Sequence, residues 1–216
     1  WTFQLDGLVG ASPEMLVRRQ NGLVTSRVLA GTIRRRSGDA VERLASTLAQ
    51  SDKDLVEHEL AVASVAEALA PYCHGMNVPE VPYVLELPNV MHLASDVTAV
   101  ADAHASSLQL AARLHPSAAV CGTPTTGARA EIAAIEGLDR GRYSGPVGWI
   151  DTAGDGEWAI ALRCGQVDAA DPAAITLYAG CGIVAASDPA SELAETHAKL
   201  QPMLQALGVT AGAAGS

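Results

Sequence analysis

The chain has 216 residues, 49% of them hydrophobic and 18% charged, and carries a formal net charge of −10. Such a chain can bury a sizeable core, and its composition is globular, not disordered. The negative charge argues against nucleic acid as a partner, because phosphates would be repelled, and no apolar run is long enough to span a membrane.

Residues 3–10 (FQLDGLVG) and 22–33 (GLVTSRVLAGTI) read as strands flanking a turn at Gln20-Asn21-Gly22, since Asn-Gly is a strong hairpin signal. Helices are predicted over 38–50 and 53–71, the second with apolar residues at Leu55, Leu60, Val62, Val65 and Leu69. Pro79, Pro82 and Pro88 punctuate a loop leading into a strand, VMHLASDVTAVA, and helices follow over 103–114 and 126–136. From Tyr143 the pattern becomes antiparallel β. GPVGWID, EWAIALRCGQV and AITLYAGCGIVA are separated by the turns TAGDG and DAADP. Asp188-Pro189 suits a helix start, with a capping carboxylate and a proline at the first helical position. This last helix is expected to run to Leu207, ahead of a frayed TAGAAGS tail. Strand pairs alternating with helices imply α+β with large antiparallel sheets, not a doubly wound parallel fold. No signal peptide opens the chain, and its start at Trp1, directly in a strand-like pattern, is what a piece of a longer protein would show.

Cys73, Cys121, Cys164 and Cys181 are widely spaced with no C-x-x-C pair, so buried free thiols in a cytosolic protein are expected in place of zinc ligands or disulfides. Several residues invite chemistry, each against a plainer reading. Glu57, His58 and Glu59 stand together on the second predicted helix, either as surface charge or with a carboxylate for a metal. Gly180-Cys181-Gly182-Ile183-Val184-Ala185 matches a dinucleotide fingerprint, but no helix is expected to open at the second glycine. Alternation in EWAIALRC sets Ala159, Ala161 and Arg163 on one strand face. Arg163 there is an edge charge or a fork for a carboxylate. Glu192, Glu195 and Lys199 share a helix face, where Glu195–Lys199 is also a common surface pair. His92 suits a satisfied histidine on a strand, and Glu14 in Ser12-Pro13-Glu14 suits a turn or a first helical turn.

Taken in order, the stretches GASPEMLVRR, LAGTIRR, SDKDLVEHELAV, HLASDV, LHPSAAVCGTP, LDRGRYSGPVGWID, GDGEWAIALRC, LYAGCGIVAASDP and ELAETHAKL span nearly all of residues 8–207. In this order they closely resemble the C-terminal half of chorismate-utilising enzymes, and among these the isochorismate synthases. The resemblance implies a chorismate-binding fold, antiparallel sheets packed face to face with helices outside. It makes residues 1–216 the C-terminal part of one chorismate-binding domain whose N-terminal half is absent. It further implies Mg²⁺ held by Glu57 and Glu195, Glu14 as general acid, and the substrate's carboxylates on Arg163, Gly180 and Lys199. His92, Gly31, Thr32, Ala119, Val120 and Tyr143 match positions lining the same pocket.

The chemistry is consistent with that assignment. A dianion entering a chain of net charge −10 needs local positive charge, and two glutamates suit a hard divalent ion that keeps several waters. Two departures stand out. The family's water-activating lysine precedes the A-S-P-E block, whereas this chain has only Lys53 and Lys199, both at other family positions. His-Pro-Ser-Ala also replaces the more usual His-Pro-Thr-Pro.

The expected protein is thus a cytoplasmic, Mg²⁺-dependent isochorismate synthase, monomeric at full length. A salicylate synthase using the same site is the nearest enzymatic alternative, and a non-catalytic fragment is the other. An anthranilate or aminodeoxychorismate synthase fits less well, since those carry a lysine where Thr125 follows Gly122-Thr123-Pro124.

Overall fold

The computed structural model describes residues 1–35, 38–86, 90–185 and 187–209, with the side chain of Arg34 excepted. Pro88 and the TAGAAGS tail therefore lie outside the described residues. The chain divides into two compact units: residues 1–14, 119–147 and 159–216 form the first, and 15–118 with 148–158 form the second.

In the first unit, β1 (Thr2–Leu5) and β2 (Leu8–Ala11) form a hairpin around Asp6 and Gly7. The expected single strand over 3–10 is thus two, because Asp6 (φ 47°) and Gly7 (φ 82°) reverse the chain. Next to β2 lies β10 (Cys164–Val167), and next to that β11 (Ile175–Tyr178), giving a four-stranded antiparallel sheet in the order β1-β2-β10-β11. Leu8, Ala161 and Cys164 are its buried centre, with Phe3, Tyr143, Val147 and Tyr178 packed around them. The unit also holds α4 (Ala118–Cys121, from residue 119), α5 (Thr125–Ile135) and α6 (Pro189–Ala206).

α6 starts where the sequence predicts. The Ser191 amide donates to Asp188 Oδ1 at 2.9 Å, and Pro189 occupies the first turn. The DAADP turn is likewise held by Asp168, whose Oδ1 accepts from the amides of Ala170 and Asp171.

In the second unit, β3 (Met15–Gln20) and β4 (Leu23–Arg34) form the hairpin closed by Asn21-Gly22, both at positive φ. The strand preceding that turn is therefore 15–20, not 3–10. β4 pairs along its length with β7 (Val90–Ala101), which also receives β5 (Cys73–Asn77) and β6 (Tyr83–Glu86). The sheet order is β5-β7-β4-β3-β9-β8, with β6 beside β7, β8 covering Pro146–Ile150 and β9 covering Gly156–Ile160. β6 was hidden by flanking prolines, which are tolerated beside an edge strand. α1 (Val41–Ala49) and α2 (Asp52–Leu69) cover the sheet around Leu48, Met91 and Leu93, and α3 (Ser107–Leu114) is closed by a Ser106–Gln109 capping box. α1 and α3 begin three and four residues later than expected.

The architecture is α+β with two antiparallel sheets. Among the described residues no helix is long and apolar enough to cross a membrane. All four cysteines are free, and Cys73, Cys121 and Cys164 are buried.

Candidate functional site

Eight of the predicted site residues, Glu14, Ala119, Val120, Tyr143, Arg163, Gly180, Glu195 and Lys199, fall in the first unit. Glu14 is half-buried at the end of the segment that follows β2, and its carbonyl accepts from the Ile160 amide at 3.0 Å. Burial pushes its carboxyl pKa above the ordinary 4.5, against the pull of the Arg163 and Lys199 cations. Burial thus favours the neutral form of this carboxyl, while the two cations favour the charged one.

Arg163 corrects the expected strand pattern. EWAIALRCGQV is two strands, β9 and β10, because the chain breaks at 161–163. The Leu162 amide donates to the Ile160 carbonyl, and Arg163 sits at φ 49°. A residue other than glycine in the left-handed region costs about 1–2 kcal/mol, so this corner is held by its surroundings. The Arg163 carbonyl receives the Ala11 amide at 3.2 Å, tying the corner to β2. Its half-buried guanidinium makes no hydrogen bond among the described residues. Desolvation lowers its pKa, while Tyr143, Glu14 and Glu195 favour the cation. It is a solvent-poor fork with donors to spare.

AITLYAGCGIVA also ends earlier than its apolar run suggests. β11 stops at Tyr178, and residues 179–184 are irregular, with no helix among the described residues until Pro189. A helix opening at Gly182, which a dinucleotide fold requires, does not occur. The irregular backbone instead turns the Gly180 carbonyl toward Lys199, whose Nζ donates to it at 3.0 Å and lies 2.9 Å from Glu195 Oε1. A Cβ at Gly180 would stand 3.2 Å from the Tyr143 hydroxyl, so a larger residue would crowd that ring. Tyr143 stacks on Tyr178 with centroids 5.2 Å apart, and burial raises its phenol pKa, keeping it a donor.

Ala119 and Val120 lie on the short α4, Ala119 exposed and Val120 half-buried. The Val120 carbonyl accepts from Arg140, which grips Glu136 through Nε at 2.8 Å and Nη2 at 2.5 Å. Arg140 was passed over in the sequence, although Glu136 and Arg140 stand four apart at the end of a predicted helix.

In the second unit, Gly31, Thr32 and His92 form one cluster. β4 bulges between Ala30 and Thr32, with Gly31 at φ 74°, and the register sets Thr32 opposite His92. Thr32 Oγ1 and His92 Nδ1 are 2.9 Å apart. A Cβ at Gly31 would meet Asp54 Cβ at 3.0 Å, which explains how closely α2 approaches the bulge.

On α2 the E-H-E cluster divides. His58 is 2% exposed and its Nε2 meets Ser95 Oγ at 2.8 Å, whereas Glu57 and Glu59 are exposed. Burial lowers the His58 pKa, the Ala30 carbonyl opposing it, so the ring is a neutral core histidine. Leu60, expected on the apolar face, is 67% exposed. Because His58 and Val62 take the buried face, Leu60 is rotated away from it.

Among the described residues, no three His, Cys, Asp or Glu side chains group as a metal site. Two carboxylates with open coordination suit Mg²⁺ better than a caged ion, since Mg²⁺ usually takes one or two protein carboxylates and keeps its waters. Glu57 is exposed and Glu195 half-buried, and each is a hard oxygen donor of the type Mg²⁺ takes.

The sequence profile of the family described as "Chorismate binding enzyme" matches residues 2–208. The chain is similar to isochorismate synthase DhbC of Bacillus subtilis, 48% identical over 205 residues that make up 94% of this chain and 50% of that protein. In structure it is similar to DhbC from Bacillus anthracis, with a TM-score of 0.84 at 48% identity over 94% of this chain and 54% of that one. It is also similar to the menaquinone-specific isochorismate synthase MenF of Escherichia coli, with a TM-score of 0.82 at 31% identity over 94% of this chain and 46% of that one. The chain thus spans about half the length of the curated relatives it matches. With its motif blocks in order and both sheets of matching form, it belongs to the chorismate binding enzyme family.

Proposed function

We propose that this chain carries the reacting half of an isochorismate synthase, converting chorismate to isochorismate. The observation that supports this best is the placement of Glu14, a carboxyl whose pKa burial raises even against the field of Arg163 and Lys199. Chorismate is a dianion, and its carboxylates suit the Arg163 fork, the Lys199 ammonium and the backbone at Gly180. On the family resemblance, Tyr143, Ala119 and Val120 of the first unit and Gly31, Thr32 and His92 of the second are further substrate-binding candidates.

Glu14 acts as general acid, giving its proton to the C4 hydroxyl as that group leaves as water. The ring double bonds shift as a second water adds its oxygen at C2 and loses a proton, so substrate and product are isomers. Glu57 and Glu195 would hold Mg²⁺, which would supply charge neutralisation for the substrate carboxylate. Neither lysine suits the role of water-activating base, since Lys53 is exposed on α2 and Lys199 is paired with Glu195. On this reading the family's water-activating lysine is missing from these 216 residues, and the chain alone is expected to show no useful turnover. The protein acts in the cytoplasm as a monomer.

The test is to incubate the product of the complete gene with chorismate and Mg²⁺, then separate isochorismate, salicylate and anthranilate. Isochorismate as the accumulating product supports the reading. Salicylate would make this a salicylate synthase, and unconsumed chorismate would remove the activity altogether. The metal assignment is tested separately by titrating Mg²⁺ calorimetrically into the parent, Glu57→Gln and Glu195→Gln. Equal affinity in all three removes both carboxylates from the metal site.

A further inference from the structure

We propose that Arg140 is a positioning residue that locks the Tyr143 ring and the Val120 carbonyl into one geometry on the chorismate-facing side of the first unit. The inference rests on the reading of Tyr143 and Val120 as pocket residues. Arg140 spends its donors in three directions. Nε and Nη2 fork onto the Glu136 carboxylate at 2.8 and 2.5 Å, which fixes the guanidinium plane against the last turn of α5. Nη1 then reaches the Val120 carbonyl at 2.9 Å and the Ser144 hydroxyl at 3.4 Å. The guanidinium carbon lies 5.9 Å from the centroid of the Tyr143 ring, within cation–π reach.

Ser144 needs such support. It is buried and adopts φ 63°, and its amide donates to the Ala161 carbonyl at 3.0 Å. The strained residue directly follows Tyr143, so a shift at Ser144 swings the phenol. On its other side the Tyr143 ring is confined by Tyr178, and its hydroxyl faces Gly180. Arg140 thus closes the remaining degree of freedom. A lysine supplies the charge but neither the fork nor the planar stack.

Arg142 is the natural control. It is an arginine two residues away in the same unit, paired with Asp6 and the Leu5 carbonyl at an exposed edge, and among the described residues no hydrogen bond joins its side chain to Val120 or Ser144.

The test compares Arg140→Met, Arg140→Lys, Glu136→Gln, Arg142→Met and Tyr143→Phe in the protein expressed from its complete gene. KM and kcat for chorismate are measured alongside the Tyr143 ring resonance by NMR. Misplacing a binding group typically costs about tenfold to a hundredfold, so Arg140→Met is expected to raise KM by about that factor, with a smaller loss in kcat. Arg140→Lys and Glu136→Gln should give an intermediate rise with a shifted Tyr143 resonance, and Arg142→Met should stay within about twofold. If Arg140→Met does not fold, Arg140→Lys and Glu136→Gln carry the test. A KM unchanged in the Arg140 variants but raised in Tyr143→Phe overturns the inference and leaves the pocket reading standing. An unchanged KM in Tyr143→Phe as well overturns both. An equal rise in Arg142→Met would reduce the effect to general destabilisation and also overturn the inference.

Discussion

Lys199 Nζ lies 2.9 Å from Glu195 Oε1 while donating to the Gly180 carbonyl at 3.0 Å, so one ammonium ties α6 to the irregular stretch after β11. The ion pair has the i,i+4 spacing of an ordinary surface pair, but its cation also contributes to the field at Glu14, far away in sequence. A pair that serves only helix stability would not need the Gly180 carbonyl.

Lys199→Gln should therefore cost little in stability and much in binding. Both partners are about a third exposed, and such pairs contribute roughly 0–1 kcal/mol. We expect the thermal midpoint to move by a few degrees at most and chorismate KM to rise about tenfold or more. Thermal unfolding and steady-state kinetics on the same preparation check this, and a large loss of stability with unchanged KM would assign Lys199 to the fold alone.

Glu14→Gln should separate stability from catalysis. Because the folded pKa of Glu14 lies above its ordinary 4.5, folding favours the neutral acid. That contribution is present below the unfolded pKa and is lost as pH rises through the folded value. The glutamine variant stays neutral throughout, so it should be more stable than the parent at pH 7, with the gap closing toward pH 4. Its kcat should fall by about 10²–10⁴. Denaturant unfolding at both pH values is the measurement, and a glutamine variant less stable at pH 7 would contradict the burial argument.

Arg163→Gly and Arg163→Ala should diverge in stability while agreeing in activity. At φ 49° glycine relieves strain that alanine retains, a difference of about 1–2 kcal/mol before the extra chain entropy of glycine is counted. Neither variant has a guanidinium, so both should lose chorismate binding. If Arg163→Ala kept near-normal KM, the fork onto a substrate carboxylate would be excluded.

Ser95→Ala tests the buried half of the E-H-E cluster. It removes the partner of His58 Nε2 in a position where water does not reach, which should cost about 1–3 kcal/mol. Because α2 also carries Glu57, Mg²⁺ affinity should fall with it. Calorimetric titration of the folded variant reads that out, and an unchanged affinity would show that the carboxylate is placed independently of the histidine.

Much of this molecule was legible locally. The Asn21-Gly22 hairpin, the Asp188-Pro189 helix start and the Asp168 turn each close through bonds between residues only a few positions apart, so residue type and spacing determine them. The ordered motif blocks carried the family in the same way. Tertiary structure alone decided the rest. EWAIALRCGQV alternates like one strand, yet the Arg163 corner forms because Ala161 and Arg163 are claimed by Gly145 and Ala11 from distant segments. Leu60 matches an apolar stripe, yet His58 takes the buried face, where Ser95 on β7 meets its Nε2. The elevated pKa of Glu14 comes from the low dielectric that burial creates, and it is opposed by Arg163 and Lys199, more than a hundred residues downstream. Spacing along a chain encodes neighbours within a turn; burial, and the field between groups that burial brings together, exist only once the chain has folded.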